Sequence, residues 1–229
     1  MRVEGVVFDL DATLINLGGF VDWKKAHIKA MDAYLTCGCP EKLINRFSEK
    51  SLFNMLNLVR EENALGMDDA EVERIQEEVY QAIESCEWEG ALNSHLLPGC
   101  SSTLGWIADQ RMRMGVATSN SQAVAEWILE AREIRGYFSS VVGRRPDLKM
   151  KPHPDQILKC FEEMGVKPER GVVVGDSVKD VQAAKSSNVL AIAVPSFFTR
   201  RESLEEAGAD YIIDNLGALP ILLSSLEGV

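Results

Sequence analysis

Asp9 and Asp11 stand one residue apart at the end of a short apolar run, with Thr13 two positions further on. In extended chain the side chains of residues i and i+2 project to one side, so this spacing can present both carboxylates to one pocket. Carboxylates held that close repel unless a cation or a shared proton relieves them. Three more polar clusters stand at or near the ends of apolar runs. Thr118-Ser119-Asn120 offers hydroxyl and amide groups to the oxygens of an anion. Lys151-Pro152-His153-Pro154-Asp155 sets a cation in a loop pinned by two prolines. Gly175-Asp176-Ser177-Val178-Lys179-Asp180 supplies two further acids at a strand-to-helix turn. Each cluster alone has a plain structural use, since D-x-D can start a helix and Thr-Ser-Asn can cap one. Their joint placement at the ends of apolar runs is what points to chemistry.

The runs themselves predict the scaffold. Arg2–Phe8, Met114–Ala117, Val141–Val142, Gly171–Val174 and Val189–Val194 are short, apolar and mostly rich in β-branched residues, with a weaker sixth at Tyr211–Ile213. Such runs suit strands buried on both faces. Between them, Ala123, Val124, Trp127, Ile128 and Ala131 recur at helical spacing, as do Ile157, Leu158, Phe161 and Met164. Strands alternating with helices predict an α/β core, a parallel sheet with helices on both faces, and a ligand site at the carboxyl ends of the strands. The stretch from 17 to 92 breaks this alternation. Trp23, Ala26, Ala30, Met31 and Tyr34 trace one helix face; Leu52, Met55, Leu56 and Val59 a second; Val72, Ile75, Val79 and Ile83 a third. The expected organisation is a core of residues 1–16 and 93–229, interrupted by a helical-bundle cap domain over 17–92. Asn16–Gly19 and Leu97–Gly99 are the expected connectors.

Composition narrows the function classes. Of 229 residues, 46% are apolar and 26% charged, an ordinary globular balance that excludes a disordered chain. The net charge of −11 argues against nucleic acid as a partner, because that affinity comes from clustered Lys and Arg. An anionic ligand must therefore be held by a local site, and a metal ion is expected there. The five cysteines are scattered without zinc spacing, which predicts reduced, mostly buried thiols. No apolar run approaches the ~18–20 residues of a membrane span, and no secretory signal is expected at the start, so the chain reads as cytoplasmic, with no membrane partner.

With its clusters in this order, the chain resembles the haloacid dehalogenase-like (HAD) hydrolase superfamily, and within it the phosphoglycolate phosphatase-like branch with a helical cap. Asp9, Asp11 and Thr13 match D-x-D-x-T; Thr118 matches the hydroxyl residue of the second motif; Lys151 matches the K-P-x-P-D lysine; Gly175, Asp176 and Asp180 match G-D-x-x-x-D. Glu205–Asp214 is similar to the branch's last helix and strand. The resemblance implies a Rossmann-like parallel sheet and a Mg²⁺-dependent phosphatase acting on a small phosphorylated metabolite, a phosphoglycolate-like substrate, through an aspartyl-phosphate. Asp9 is then the nucleophile and Asp11 the general acid and base. Lys151 bridges nucleophile and phosphoryl group. Thr118 and the backbone at Leu10 and Asp11 donate to phosphoryl oxygens, with Thr13, Ser119 and Asn120 as further substrate contacts. Asp9, Asp11 (through its carbonyl), Asp176 and Asp180 are the implied metal ligands.

The alternative enzyme is a phosphosugar mutase of the beta-phosphoglucomutase type, although such mutases often carry Glu where this chain has Gly175. Asp11 argues against dehalogenation, and the intact motifs argue against a catalytically silent binding protein. A monomer or homodimer is expected. Three positions depart from the family pattern: Ala12 replaces a usual Gly, Asn16 a frequent Asp, and Pro195–Arg201 a Gly-rich loop. In the cap, Arg46, Lys50 and Arg60 either meet a second anionic group or form solvated helix faces, the second being expected more often. His27 and the four tryptophans are expected to pack, and Gly18-Gly19 to serve as a hinge.

Overall fold

Alternating valines build the centre of the molecule. The computed structural model describes residues 2–227. In β1 (Gly5–Phe8), Val6 and Phe8 face one apolar cluster while Val7 faces another. In β4 (Gly171–Gly175), Val172 and Val174 face the first cluster and Val173 the second. Both strands are wholly buried, as the period of two requires of a sheet covered on both faces. Around them lie β2 (Arg113–Ser121), β3 (Ser140–Arg144), β5 (Leu190–Ala193) and β6 (Tyr211–Ile212). The order is β3-β2-β1-β4-β5-β6, and every pairing is parallel. The strand order reverses on the two sides of β1, so the carboxyl end of β1 is the switch point where a ligand crevice opens.

The first four of the five α-helices between β1 and β2 are α1 (Trp23–Thr36), α2 (Glu41–Phe47), α3 (Leu52–Ala64) and α4 (Asp69–Ala91). Asp22 caps α1 by accepting from the Lys25 N–H at 2.9 Å, and Asp68 caps α4 through the Glu71 N–H, also at 2.9 Å. Tyr34 and Gln76, both buried, satisfy each other between α1 and α4. The remaining helices are α5 (Cys100–Asp109), α6 (Gln122–Ala131), α7 (Asp155–Met164), α8 (Val178–Ser186), α9 (Arg201–Glu206) and α10 (Leu219–Glu227). All five cysteines are free thiols, four of them buried. Among the described residues no helix is long and apolar enough to cross a membrane.

Two details differ from the sequence expectation. Extended chain in β2 continues past Ala117 to Ser121, with a register shift against β3 between those residues. A shift of that kind re-aims side chains at a strand end, and Thr118 and Asn120 lie on it. The connectors also lie side by side. Ile15 bridges Leu96, the Asn16 Oδ1 accepts from the His95 N–H at 2.7 Å, and the Asn16 Nδ2 lies 2.9 Å from the His95 Nε2. Asn16 thus clasps the two chain crossings between sheet and helices.

Ala12 adopts φ of 61°, the left-handed conformation that suits glycine. That conformation costs an L-residue about 1–2 kcal/mol, partly offset by the greater unfolded-state entropy of glycine. Ala12→Gly is therefore expected to stabilise the protein by about 0.5–1 kcal/mol, read as a rise in the urea midpoint at unchanged slope.

Candidate active site

The end of β1 carries the chain straight into an acidic crevice. The Asp9 N–H donates to the Val174 carbonyl at 2.8 Å, which fixes the first residue beyond the strand. Its carboxylate oxygen Oδ1 accepts from the Lys151 ammonium at 2.5 Å; the same ammonium donates to Asp180 Oδ1 at 2.5 Å and to the Ala117 carbonyl at 2.9 Å. All three charged side chains are buried. Two helices hold the lysine loop in place. From α3, Asn57 donates to the Lys151 carbonyl at 3.1 Å and Arg60 to the Leu148 carbonyl at 2.7 Å. From α7, Gln156 accepts from the Lys151 N–H and donates to the carbonyls of Thr118 and Gly143. Gln156 therefore ties the lysine loop to the end of β2.

Asp180 is fixed by a capping box at the start of α8. Its Oδ2 accepts from the Ser177 N–H at 3.0 Å and from the Ser177 hydroxyl at 2.5 Å. Asp180 packs so closely on Gly175 that a Cβ there would lie 2.4 Å from the Asp180 Cβ. Asp176 accepts from the Ser196 hydroxyl at 2.6 Å; Ser196 belongs to the loop after β5. Asp11 points toward the helical segment, where its Oδ1 accepts from the Gly18 N–H at 2.8 Å. A Cβ on Gly18 would fall 2.5 Å from the Asp11 Oδ2, so a larger residue there would displace the Asp11 carboxylate.

Burial governs the charges here. It pushes the Asp9 carboxyl up to about 7, with Lys151 pulling down and Asp180 pushing up. Burial also raises Asp176 to about 8, reinforced by Asp9 and Asp180, and raises Asp11 to about 6 against the Gly18 hydrogen bond. Burial opposes the charge on Lys151, yet Asp180 and Asp9 outweigh it and hold the ammonium above its ordinary range. One oxygen each from Asp9, Asp176 and Asp180 lie within 4.8 Å of one another. One ammonium among these carboxylates leaves negative charge uncompensated, and an all-oxygen donor set of this kind fits a hard divalent cation.

Asp9, Asp11, Lys151 and Asp180 line a cavity of about 860 Å³. Its walls include Trp23 and Phe53 from the helical segment, Lys179 from α8, and Phe198 and Arg200 from the loop after β5.

The pattern of the haloacid dehalogenase-like hydrolases matches residues 6–194, a span that holds Asp9, Asp11, Thr118, Lys151, Asp176 and Asp180. The chain belongs to that family. Among curated relatives, a phosphoglycolate phosphatase of Nitrosococcus oceani is 30% identical over 131 residues, 57% of this chain and 58% of that protein. That match thus spans little more than half of the relative's length. One of Shigella dysenteriae serotype 1 is 26% identical over 234 residues, covering 95% of this chain and 91% of the relative. The crystal structure of a predicted phosphatase from Clostridium acetobutylicum shares the fold, with a TM-score of 0.67 at 21% identity over 100% of both chains.

In this hydrolase Asp9, Asp11, Thr118, Ser119, Asn120, Lys151 and Asp180 all line the cavity, and Asp176 adjoins it through the carboxylate cluster. The buried Thr118 hydroxyl donates to Asn120 Oδ1 at 3.0 Å, and Asn120 Nδ2 donates to Glu87 Oε1 at 3.1 Å. The Ser119 carbonyl accepts from Arg144. The Leu10 side chain is fully buried, leaving only its backbone for the site. Thr13 does not line this cavity. Its buried hydroxyl has no hydrogen-bond partner and borders a neighbouring cavity of about 350 Å³.

Arg46, Lys50 and Arg60 do not line the main cavity: Arg46 pairs with Glu62 at 2.9 Å, and Arg60 holds the lysine loop. Trp23, expected only to pack, both stacks edge-on against Phe53 at 5.4 Å and forms cavity wall. His27 is half-buried on α1, and its Nε2 has no partner. Lys179, Arg200 and Gln156 have no role assigned from sequence alone. Lys179 lies inside the fourth motif and Arg200 inside the divergent loop, which was the available signal. Burial lowers the Lys179 ammonium to about 8, with Asp180 beside it acting the other way.

Proposed function

We propose that this hydrolase is a phosphatase that cleaves small phosphomonoesters through a phosphoryl group carried on Asp9. The observation that carries the reading is a buried Asp9 carboxylate facing the cavity, with one oxygen on the Lys151 ammonium and two further carboxylates close by. An Asp9 oxygen forms the new bond to phosphorus as the bond to the leaving oxygen breaks. Asp11, raised toward the protonated form by burial, gives its proton to that leaving oxygen. It then takes a proton from the water that attacks the aspartyl-phosphate, which frees inorganic phosphate and restores the Asp9 carboxylate. Lys151 positions Asp9 and offsets its charge. Thr118 and the backbone N–H groups of Leu10 and Asp11 would donate to phosphoryl oxygens, as oxyanion-type donors do.

Asp9, Asp176 and Asp180, with the Asp11 carbonyl, would hold Mg²⁺, which supplies charge stabilisation for the phosphoryl oxygens when bound. The helices α1–α4 act as a cap that excludes water from the first step. The cytoplasm is the proposed compartment.

The direct test is phosphate release from p-nitrophenyl phosphate in Mg²⁺. Activity is expected to fall to background with excess EDTA and to return when Mg²⁺ is restored; turnover indifferent to chelation would refute the metal-assisted reading. With hexose phosphates the expected product is inorganic phosphate, whereas an isomeric phosphosugar would indicate a mutase.

A further inference from the structure

Of the three carboxylates that crowd the carboxyl end of the sheet, Asp176 is the one least held by its neighbours. Asp9 rests on the Lys151 ammonium, and Asp180 is held by that ammonium and by the N–H and hydroxyl of Ser177. Among the described residues Asp176 receives one hydrogen bond, from the Ser196 hydroxyl at 2.6 Å, a length typical of a hydroxyl donating to an ionised carboxylate. The donor is itself fixed. The Ser196 hydroxyl oxygen accepts from the Phe198 N–H at 3.0 Å and from the Thr199 N–H at 3.2 Å, while the Ser196 N–H donates to the Thr199 carbonyl at 3.1 Å. A serine hydroxyl has two lone pairs and one proton. With both lone pairs taken by backbone, the turn aims the proton at Asp176. The turn is braced from outside as well, since Phe198 packs on Gly18, where a Cβ would lie 3.3 Å from the Phe198 Cζ. Ser196 belongs to Pro195–Arg201, the segment that departs from the family pattern, so no motif assigns it a task.

From this arrangement we infer that Ser196 is a positioning residue for the divalent-cation site: its hydroxyl holds Asp176 in the orientation that brings one of its oxygens to those of Asp9 and Asp180. The inference rests on the reading of these three carboxylates as metal ligands and deepens it. Without the hydroxyl, Asp176 is free to turn away from Asp9 and Asp180, because like charges this close repel. Lys151 cannot take over the restraint, since its three donors are taken by Asp9, Asp180 and the Ala117 carbonyl. Groups that orient metal ligands from behind set much of the affinity, and losing one costs about 10–100-fold.

The test measures the dissociation constant for Mn²⁺, a paramagnetic stand-in for Mg²⁺, from the EPR signal of the free ion, with Asp176→Asn marking loss of the site. Ser196→Ala is expected to bind about 10–100-fold more weakly than wild type, and Ser196→Thr, which keeps a hydroxyl, to stay within about threefold of it. The Mg²⁺ concentration that gives half-maximal hydrolysis of p-nitrophenyl phosphate is expected to rise in Ser196→Ala by a similar factor. A residue that only shaped the loop would lower the maximum and leave that concentration where it was. The inference is overturned if Ser196→Ala binds Mn²⁺ as wild type does, or if Ser196→Thr is weakened as much as Ser196→Ala. If wild type and Asp176→Asn bind Mn²⁺ equally, the metal reading of this site falls and the inference with it. Mn²⁺ binding that Ser196→Ala weakens, without release of phosphate from any ester, would uphold the inference and bring down the phosphatase reading alone.

Discussion

Asp9→Asn is expected to lower phosphatase turnover by about 10⁴-fold or more, the scale on which enzymes lose activity when a nucleophile is removed. The amide is nearly isosteric with the carboxylate, but it has no anionic oxygen to bond phosphorus. The fold has little reason to suffer. Asp9 is one of three carboxylates whose oxygens crowd within 4.8 Å, so removing one charge relieves repulsion. Lys151 keeps Asp180 at 2.5 Å and the Ala117 carbonyl at 2.9 Å. The melting temperature of the variant is therefore expected within about 3 °C of wild type, equivalent to about 1 kcal/mol in a chain of this size. Phosphate release and a thermal melt on the same sample separate the two effects. Substantial turnover by a folded variant would remove Asp9 from its proposed role.

The sheet was legible because its strands are nearly pure in type. Val6-Val7-Phe8 and Val172-Val173-Val174 have no polar residue to place outside, so both faces must be covered, and parallel pairing follows. The acids were legible for a related reason: Asp9 and Asp176 interrupt such runs where the strand leaves the core. What escaped depends on partners distant in sequence. The apolar run ends at Ala117, yet the ladder reaches Ser121 because Arg144 of β3 pairs there after a register shift. Gln156 looked like one polar residue in an amphipathic helix, but it is fully buried and holds the ends of two loops. Thr13 shares the Asp9–Asp11 spacing on paper. The turn through Ala12, at φ of 61°, ends the extended chain on which that spacing argument depends, and Thr13 borders a different cavity.

Arg144→Met is expected to cost about 3–5 kcal/mol of stability, because it strands a buried carboxylate. Arg144 and Glu87 are both completely buried, joined at 3.0 and 2.7 Å, and they tie β3 to the last turns of α4. Glu87 also accepts from Asn120 Nδ2 at 3.1 Å and from the Ser121 N–H at 3.3 Å, whereas Arg144 adds the Ser119 carbonyl at 2.9 Å and lies 5.0 Å from the centre of the Tyr80 ring. Methionine can fill much of the volume but offers Glu87 no proton. Glu87→Met strands the guanidinium instead and, in addition, orphans the Asn120 and Ser121 donors. The double variant loses both charges, so its penalty is expected to fall short of the sum of the single ones by at least 1 kcal/mol, a coupling that urea unfolding of the four proteins measures directly. Additive penalties would mean that the two side chains do not share one desolvated site. Since the Thr118 hydroxyl donates to the same Asn120 that Glu87 holds, Glu87→Met should also lower kcat/KM, whereas loss of stability alone would leave the turnover of folded molecules unchanged.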